Sequence, residues 1–170
     1  MNFFQQFLDD KKVYREGFLA QGFWALQIYR FGHLRYQYKS KLIRVLLGVI
    51  HLFLHKMCEI FFGISIGVNA DIGQRFNIEH FGAIIIHGNC IIGHDCIVRQ
   101  GVTLGNRHHE KPYDAPKIGN NVSIGAGAKL LGAITIGDNV SIGANAVVLI
   151  DVPDNAIAVG IPAKIITKNF

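Results

Sequence analysis

At 170 residues, half of them apolar and 17% charged, the chain is long enough for one sizeable domain and too apolar to be disordered. Its three cysteines, Cys58, Cys90 and Cys96, are odd in number and lack CxxC spacing, which signals neither a disulfide framework nor a zinc site and reads as buried thiols in a reducing cytosol. The net charge of +5 lies wholly in residues 1–63, with nine Lys and Arg against four acids, while residues 64–170 carry eight of each; this is a basic appendage on a neutral body.

The first residues, MNFFQQFLDDKK, lack a basic stretch followed by an apolar core, so no secretory signal is expected. Phe18, Gly22, Ala25, Ile28 and Tyr29 then recur at helical spacing. A longer stripe follows from Leu42 through Val45, Leu46, Val49, Ile50, Phe53, Leu54, Met57 and Cys58 to Phe61, and Gly63 is its expected stop. An α-helical region is therefore predicted over 1–63. Residues 42–62 have the length of a membrane span, but Arg44, His51, His55, Lys56 and Glu59 interrupt them, and central charges cost about 2.5–3.5 kcal/mol each. Two readings are left: a helix packed on the rest of the chain or on neighbouring subunits, and peripheral membrane contact through residues 28–62. The second rests on Arg30, Arg35, Lys39, Lys41 and Arg44 interleaved with Tyr29, Tyr36 and Tyr38. Nothing in the stretch matches a nucleic-acid-binding fold, so no nucleic-acid partner is expected.

From Ile66 every sixth residue is aliphatic: Ile66, Ile72 and Ile78, then, after a slip of two, Ile86, Ile92, Val98 and Leu104. Beyond a polar loop the series runs Ile118, Ile124, Leu130, Ile136, Ile142 and Val148. A period of six fits neither a helix nor simple strand alternation. It fits a triangular coil in which each hexad gives one short strand and one turn, so residues 64–170 are predicted to form a parallel β-helix with a protruding loop at 105–117 and a C-terminal tail. Such a solenoid has flat faces, and three copies packed side by side would bury them and leave three equivalent grooves. A homotrimer is expected, with pairing of trimers left open.

Chemistry is expected where the period breaks. The first break, Asn77–Ala83, adds two residues and carries Glu79 and His80; imidazole, near its usual pKa of about 6.5, suits removal of a hydroxyl proton. The second break is the loop with Asn106, Arg107, His108, His109 and Asp114. His87 and His94 fall on other corners and read as polar turn residues.

Five segments, Ile78–Gly82, Gln100–Gly105, Pro116–Gly119, Ile124–Lys129 and Gly160–Ile165, together with Gly22–His33, resemble the serine acetyltransferase family, and still more its short relatives of the colanic-acid and capsule type. The resemblance implies a left-handed coil and direct acetyl transfer from acetyl-CoA, with no metal. It implies His80 as general base, backbone N–H groups near Gly105 as oxyanion donors, and Ala126, Ala144 and Lys164 along the CoA groove between subunits. The family's aspartate that orients the histidine falls on Ser65, with Glu79 an adjacent acid. The loop His and Arg that grip an amino-acid substrate fall on Ala115 and Asp114, which removes a carboxylate clamp.

The expected function is therefore O-acetylation of a sugar hydroxyl of a polysaccharide or its lipid-linked precursor, in the cytoplasm or at the inner face of the cytoplasmic membrane. The rival readings are an L-serine O-acetyltransferase with altered contacts, and a non-catalytic β-helix scaffold, suggested by the missing aspartate. A metal enzyme of the γ-carbonic anhydrase kind needs three convergent His ligands, and the His spacing does not match that pattern.

Overall fold

The structure, a computed structural model, describes residues 3–167; Met1, Asn2 and 168–170 of the expected regions lie outside the described residues. Helices α1 (Phe3–Lys11), α2 (Gln21–Leu34) and α3 (Lys41–Phe62) precede a coil whose strands line three faces. The first face stacks β1 (Ile64–Ile66), β4 (Ile84–Ile86), β7 (Thr103–Gly105), β10 (Lys129–Leu131) and β13 (Val147–Val148). The second stacks β2 (Asp71–Ile72), β5 (Ile91–Ile92), β8 (Lys117–Ile118) and β11 (Thr135–Ile136). The third stacks β3 (Asn77–Ile78), β6 (Ile97–Val98), β9 (Ser123–Ile124), β12 (Ser141–Ile142) and β14 (Ala156–Val159), on which β15 (Lys164–Thr167) folds back antiparallel.

All other pairings are parallel, and the register places like positions of successive hexads above one another. Ile66 lies beside Ile86, Ile86 beside Leu104, and Leu104 beside Leu130. These residues are buried, and with the third-face column Ile78, Val98, Ile124 and Ile142 they fill the prism. The six-residue period is thus a packing rule: one aliphatic side chain per face per coil, pointing inward.

A solenoid leaves unpaired backbone groups at its first coil, and these must find partners. Here α2 and the segment before it supply them. Tyr29 Oη donates to the carbonyl of Ala70 at 2.6 Å, and Arg30 donates to those of Ile72 and Gly73, both at 2.6 Å. Tyr14 Oη donates to the Phe76 carbonyl and accepts from the Ile78 N–H, each at 3.1 Å. Gly22 lies so close to Ile78 that a Cβ there would collide with its backbone carbonyl, so glycine sets the approach of α2 to the coil. Asp10, fully buried, pairs with Arg30 at 3.0 Å and accepts the Arg75 N–H at 3.1 Å. Arg30, expected on the basic surface, is instead a buried member of this cap, because the coil end needs its donors.

Helix α3 packs on α2 along a narrow line. His51 sits against Gly32, and Cys58 is buried. Gly63, left-handed at φ 62°, ends the helix and passes the chain to β1. Most of the long apolar stripe predicted for α3 does not pack inside this chain: Leu42, Val45, Leu46, Val49, Ile50 and Phe53 are exposed, while Leu54 and Met57 are half-buried and Cys58 is buried. All three cysteines are buried free thiols, as their spacing predicted.

Candidate active site

The three corners of the prism carry different residues. The corner joining the third face to the first holds, coil by coil, Glu79–Ala83, Arg99–Gly101, Gly125–Gly127, Gly143–Asn145 and Gly160. Backbone bonds tie these levels together: Glu79 N–H to Val98 O at 2.9 Å, Gly101 to Gly82 at 2.9 Å, Gly127 to Gln100 at 2.8 Å, and Asn145 to Ala126 at 2.8 Å. Val147 N–H closes the series on Gly160 O at 3.0 Å. Since Ile78, Val98, Ile124 and Ile142 are aligned in register, the residues two places after them share one edge: His80, Gln100, Ala126 and Ala144.

Lys164 belongs to the same edge. It pairs with Val159 across the hairpin that follows Gly160, and its side chain is exposed. Neighbouring coils are about 4.8 Å apart, so the edge runs roughly 19 Å from His80 to the level of Gly160. It offers an imidazole at one end, small residues in the middle and a cation at the other end.

His80 is exposed, and no residue among those described hydrogen-bonds its ring. It borders a cleft of about 520 Å³ whose far wall is the Val13–Glu16 and Ala20–Gly22 segments of the cap. Glu79 points to the next coil, where Arg99 binds its carboxylate at 2.6 Å. Ser65, at the position of the family's aspartate, donates from Oγ to Glu59 Oε1 at 2.8 Å. Glu59 also meets Lys56 at 2.5 Å and His55 at 3.1 Å, and the Lys56 and Ser65 bonds hold its pKa below the ordinary carboxylate value.

Gly105 and the loop lie on another corner. Gly105 ends β7 and accepts the Gly132 N–H at 2.8 Å; it is four residues along the first face from Gly101, roughly 13 Å from the His80 edge. The loop leaves there, between the first and second faces. Asn106 donates to the His108 carbonyl at 3.0 Å, and Asn89 of the previous coil donates to that of Tyr113 at 3.2 Å. Arg107, His108 and His109 are exposed, Asp114 is half-buried, and Ala115 is buried. One chain therefore gathers His80, Glu79, Ala126, Ala144 and Lys164 on one edge, and Gly105 with Asn106, Arg107, His108, His109 and Asp114 on another.

The turn histidines are engaged locally. His87 Nδ1 accepts the Asn89 N–H at 3.1 Å, and His94 Nδ1 meets Asp95 at 2.9 Å. Among the described residues no three His, Cys, Asp or Glu side chains lie close enough to share a metal ion. Two features were missed from the sequence. Arg99 had a legible signal, since it stands one 20-residue coil after Glu79. The cleft wall from the cap had none, because nothing in residues 13–22 encodes which coil end they cover.

Two family models match the coil: the bacterial transferase hexapeptide (six repeats) over residues 115–149, and the hexapeptide repeat of succinyl-transferase over 83–108. Serine acetyltransferase of Bacillus subtilis is 39% identical over 148 residues, covering 87% of this chain and 65% of the relative. The putative colanic acid biosynthesis acetyltransferase WcaB of Escherichia coli is 49% identical over 107 residues, 63% of this chain and 65% of that protein. The crystal structure of serine acetyltransferase in complex with coenzyme A from Brucella abortus superposes with a TM-score of 0.77 at 30% identity, over 87% of this chain and 56% of that one. The chain thus spans somewhat under two thirds of these relatives. On its hexad register and matched repeats the chain carries hexapeptide-repeat transferase domains, and along most of its length it is similar to the serine acetyltransferases and, over the coil, to the colanic acid acetyltransferase.

Proposed function

We propose that this protein is an acetyl-CoA-dependent O-acetyltransferase whose acceptor is a sugar hydroxyl. The observation that carries the reading is the single edge from His80 through Ala126 and Ala144 to Lys164. A pantetheine arm fits a lane of small residues, because a larger side chain at either alanine would hold its amide chain away from the coil backbone. Lys164 supplies positive charge for the nucleotide phosphates at the far end. Acetyl-CoA supplies a thioester carbonyl. His80 removes the acceptor's hydroxyl proton as the C–O bond forms, and returns that proton to the sulfur as the C–S bond breaks.

The oxyanion that develops needs fixed N–H donors. Gly105 sits on another corner of the same chain, which supports a site where its donors and the loop come to His80 from a neighbouring copy. This favours a trimer in which one subunit's His80 edge faces the next subunit's loop corner, and acetyl-CoA as the donor favours a cytoplasmic setting. In place of the family's aspartate, α3 brings an ionised carboxylate, Glu59, onto Ser65. Gly63, at the end of α3, packs on Gly82 of the His80 corner, which puts Glu59 in the neighbourhood where the imidazole must be oriented.

A sugar is favoured over serine because Asp114 and Ala115 stand where a cationic pair would grip a carboxylate, and Asp114 repels one. The likeness to the colanic acid acetyltransferase supports the same choice. The test is thiol release from acetyl-CoA with L-serine and, separately, with capsule-type oligosaccharides. Turnover on a saccharide and none above background on serine is expected; the reverse would assign the protein to cysteine biosynthesis, and no turnover with either would sink the enzymatic reading.

A further inference from the structure

We infer that the outer face of α3 is a docking surface for an anionic lipid bilayer. Ten large apolar side chains between Leu42 and Phe61 are 40–78% exposed. At 100° per residue they cover about half the helix circumference along roughly 30 Å, interrupted by one cation, Lys56. The surface continues into a groove of about 460 Å³ between α2 and α3, walled by Phe7, Trp24, Ile28, Phe31, Leu54 and Phe62. An apolar area of this extent is far beyond the scattered exposed residues of an ordinary soluble surface.

Charge identifies the occupant. Arg35, Lys39 and Lys41 form a partial basic ring at the N-terminal end of α3, beside exposed Tyr36 and Tyr38, aromatic rings of the kind that settle at headgroup level, while Arg44 projects from the opposite side of the helix. The one acid between residues 17 and 62 is Glu59, which is already engaged by Lys56, His55 and Ser65. A second copy of the chain therefore brings no free anion to the basic ring from this region, whereas anionic headgroups match it. By length and composition α3 is apolar enough to cross a membrane. Its other face is committed, with His51 against Gly32, Cys58 buried and Glu59 bonded to Ser65, so the helix lies along the bilayer surface and does not cross it. The inference stands independently of the chemistry proposed above.

The test is flotation of the full chain with phosphatidylcholine vesicles and with vesicles containing about a third phosphatidylglycerol. Wild type should float with the anionic vesicles. Each basic residue near the surface accounts for roughly a fivefold share of partitioning, so Lys39→Gln/Lys41→Gln should weaken it about 25-fold, and added salt should act in the same direction. Val49→Glu/Phe53→Glu should abolish flotation while the circular dichroism and the solution mass stay those of wild type. Wild type that stays in solution with both lipids would overturn the inference. So would an unaltered flotation of the Val49→Glu/Phe53→Glu variant, or a fall in its subunit number, which would identify a second copy as the occupant.

Discussion

His80 projects from the one corner where the coil carries two residues more than a hexad allows, and the extra length lets it leave the packed edge for the cleft. An exposed side chain with no partner among the described residues is cheap to remove, so His80→Ala should leave the unfolding free energy within about 0.5 kcal/mol of wild type. Acetyl transfer should nevertheless fall about 10²- to 10⁴-fold, the range for a positioned proton acceptor. Thermal melts and thiol-release kinetics on the same preparation separate the two, and an unchanged rate would remove His80 from the mechanism. Another histidine behaves in the opposite way. His51 is buried against Gly32, its Nε2 has no partner among the described residues, and burial lowers its pKa to about 4. Below the ordinary value of 6.5 the unfolded chain takes up a proton that the folded chain refuses. Stability should therefore fall as pH drops from about 6.5 to 4, by up to about 3 kcal/mol, and this component should level off below 4. Urea melts across that window check it, and His51→Leu should flatten the slope. The sequence announced His80 by its place in a break of the period. It placed His51 in a list of polar interruptions, because burial of a lone histidine depends on which side of α3 meets α2.

At the scale of elements, the strands were legible and the helix packing was not. Ile66, Ile86, Leu104 and Leu130 repeat a single local rule, so the coil and its register follow from counting. The sense of the coil is not in that count and came only with the family. The cap obeys no repeat: Asp10, Tyr14, Tyr29 and Arg30 are scattered along the first thirty residues, and only the folded chain shows that they finish the open end of the first coil. A buried ion pair of this kind is costly to break from one side, because the survivor keeps its charge without a partner. Asp10→Ala should destabilise the fold by about 3–5 kcal/mol, and Arg30→Met should do at least as much, since it also strips the donors from Ile72 and Gly73. Urea denaturation measures both. A loss under about 1 kcal/mol would mean that water satisfies the coil end as well as the cap does.

At the scale of the whole molecule, the division of candidate residues between two corners is the strongest structural argument for an assembly. The sequence places His80 and the Asn106–Asp114 loop at two separate breaks of the period, without saying how far apart the folded coil holds them. Counting strands in the folded chain settles that: His80 follows β3 at the third face, and the loop follows β7 at the first. In the proposed trimer a closed ring of three would join the two kinds of corner at each interface, one from each neighbour. The consequence is complementation. His80→Ala and a loop variant that is inactive alone, such as deletion of residues 108–113, should each give a dead homotrimer. Unfolded together in equal amounts and refolded, they assemble at random, and a site is intact when one neighbour brings a native His80 edge and the other a native loop. That condition holds for about one site in four, so roughly a quarter of wild-type turnover should return. Recovery of none, from mixed trimers verified by mass, would place His80 and the loop's contribution within one chain and dismantle the intersubunit site.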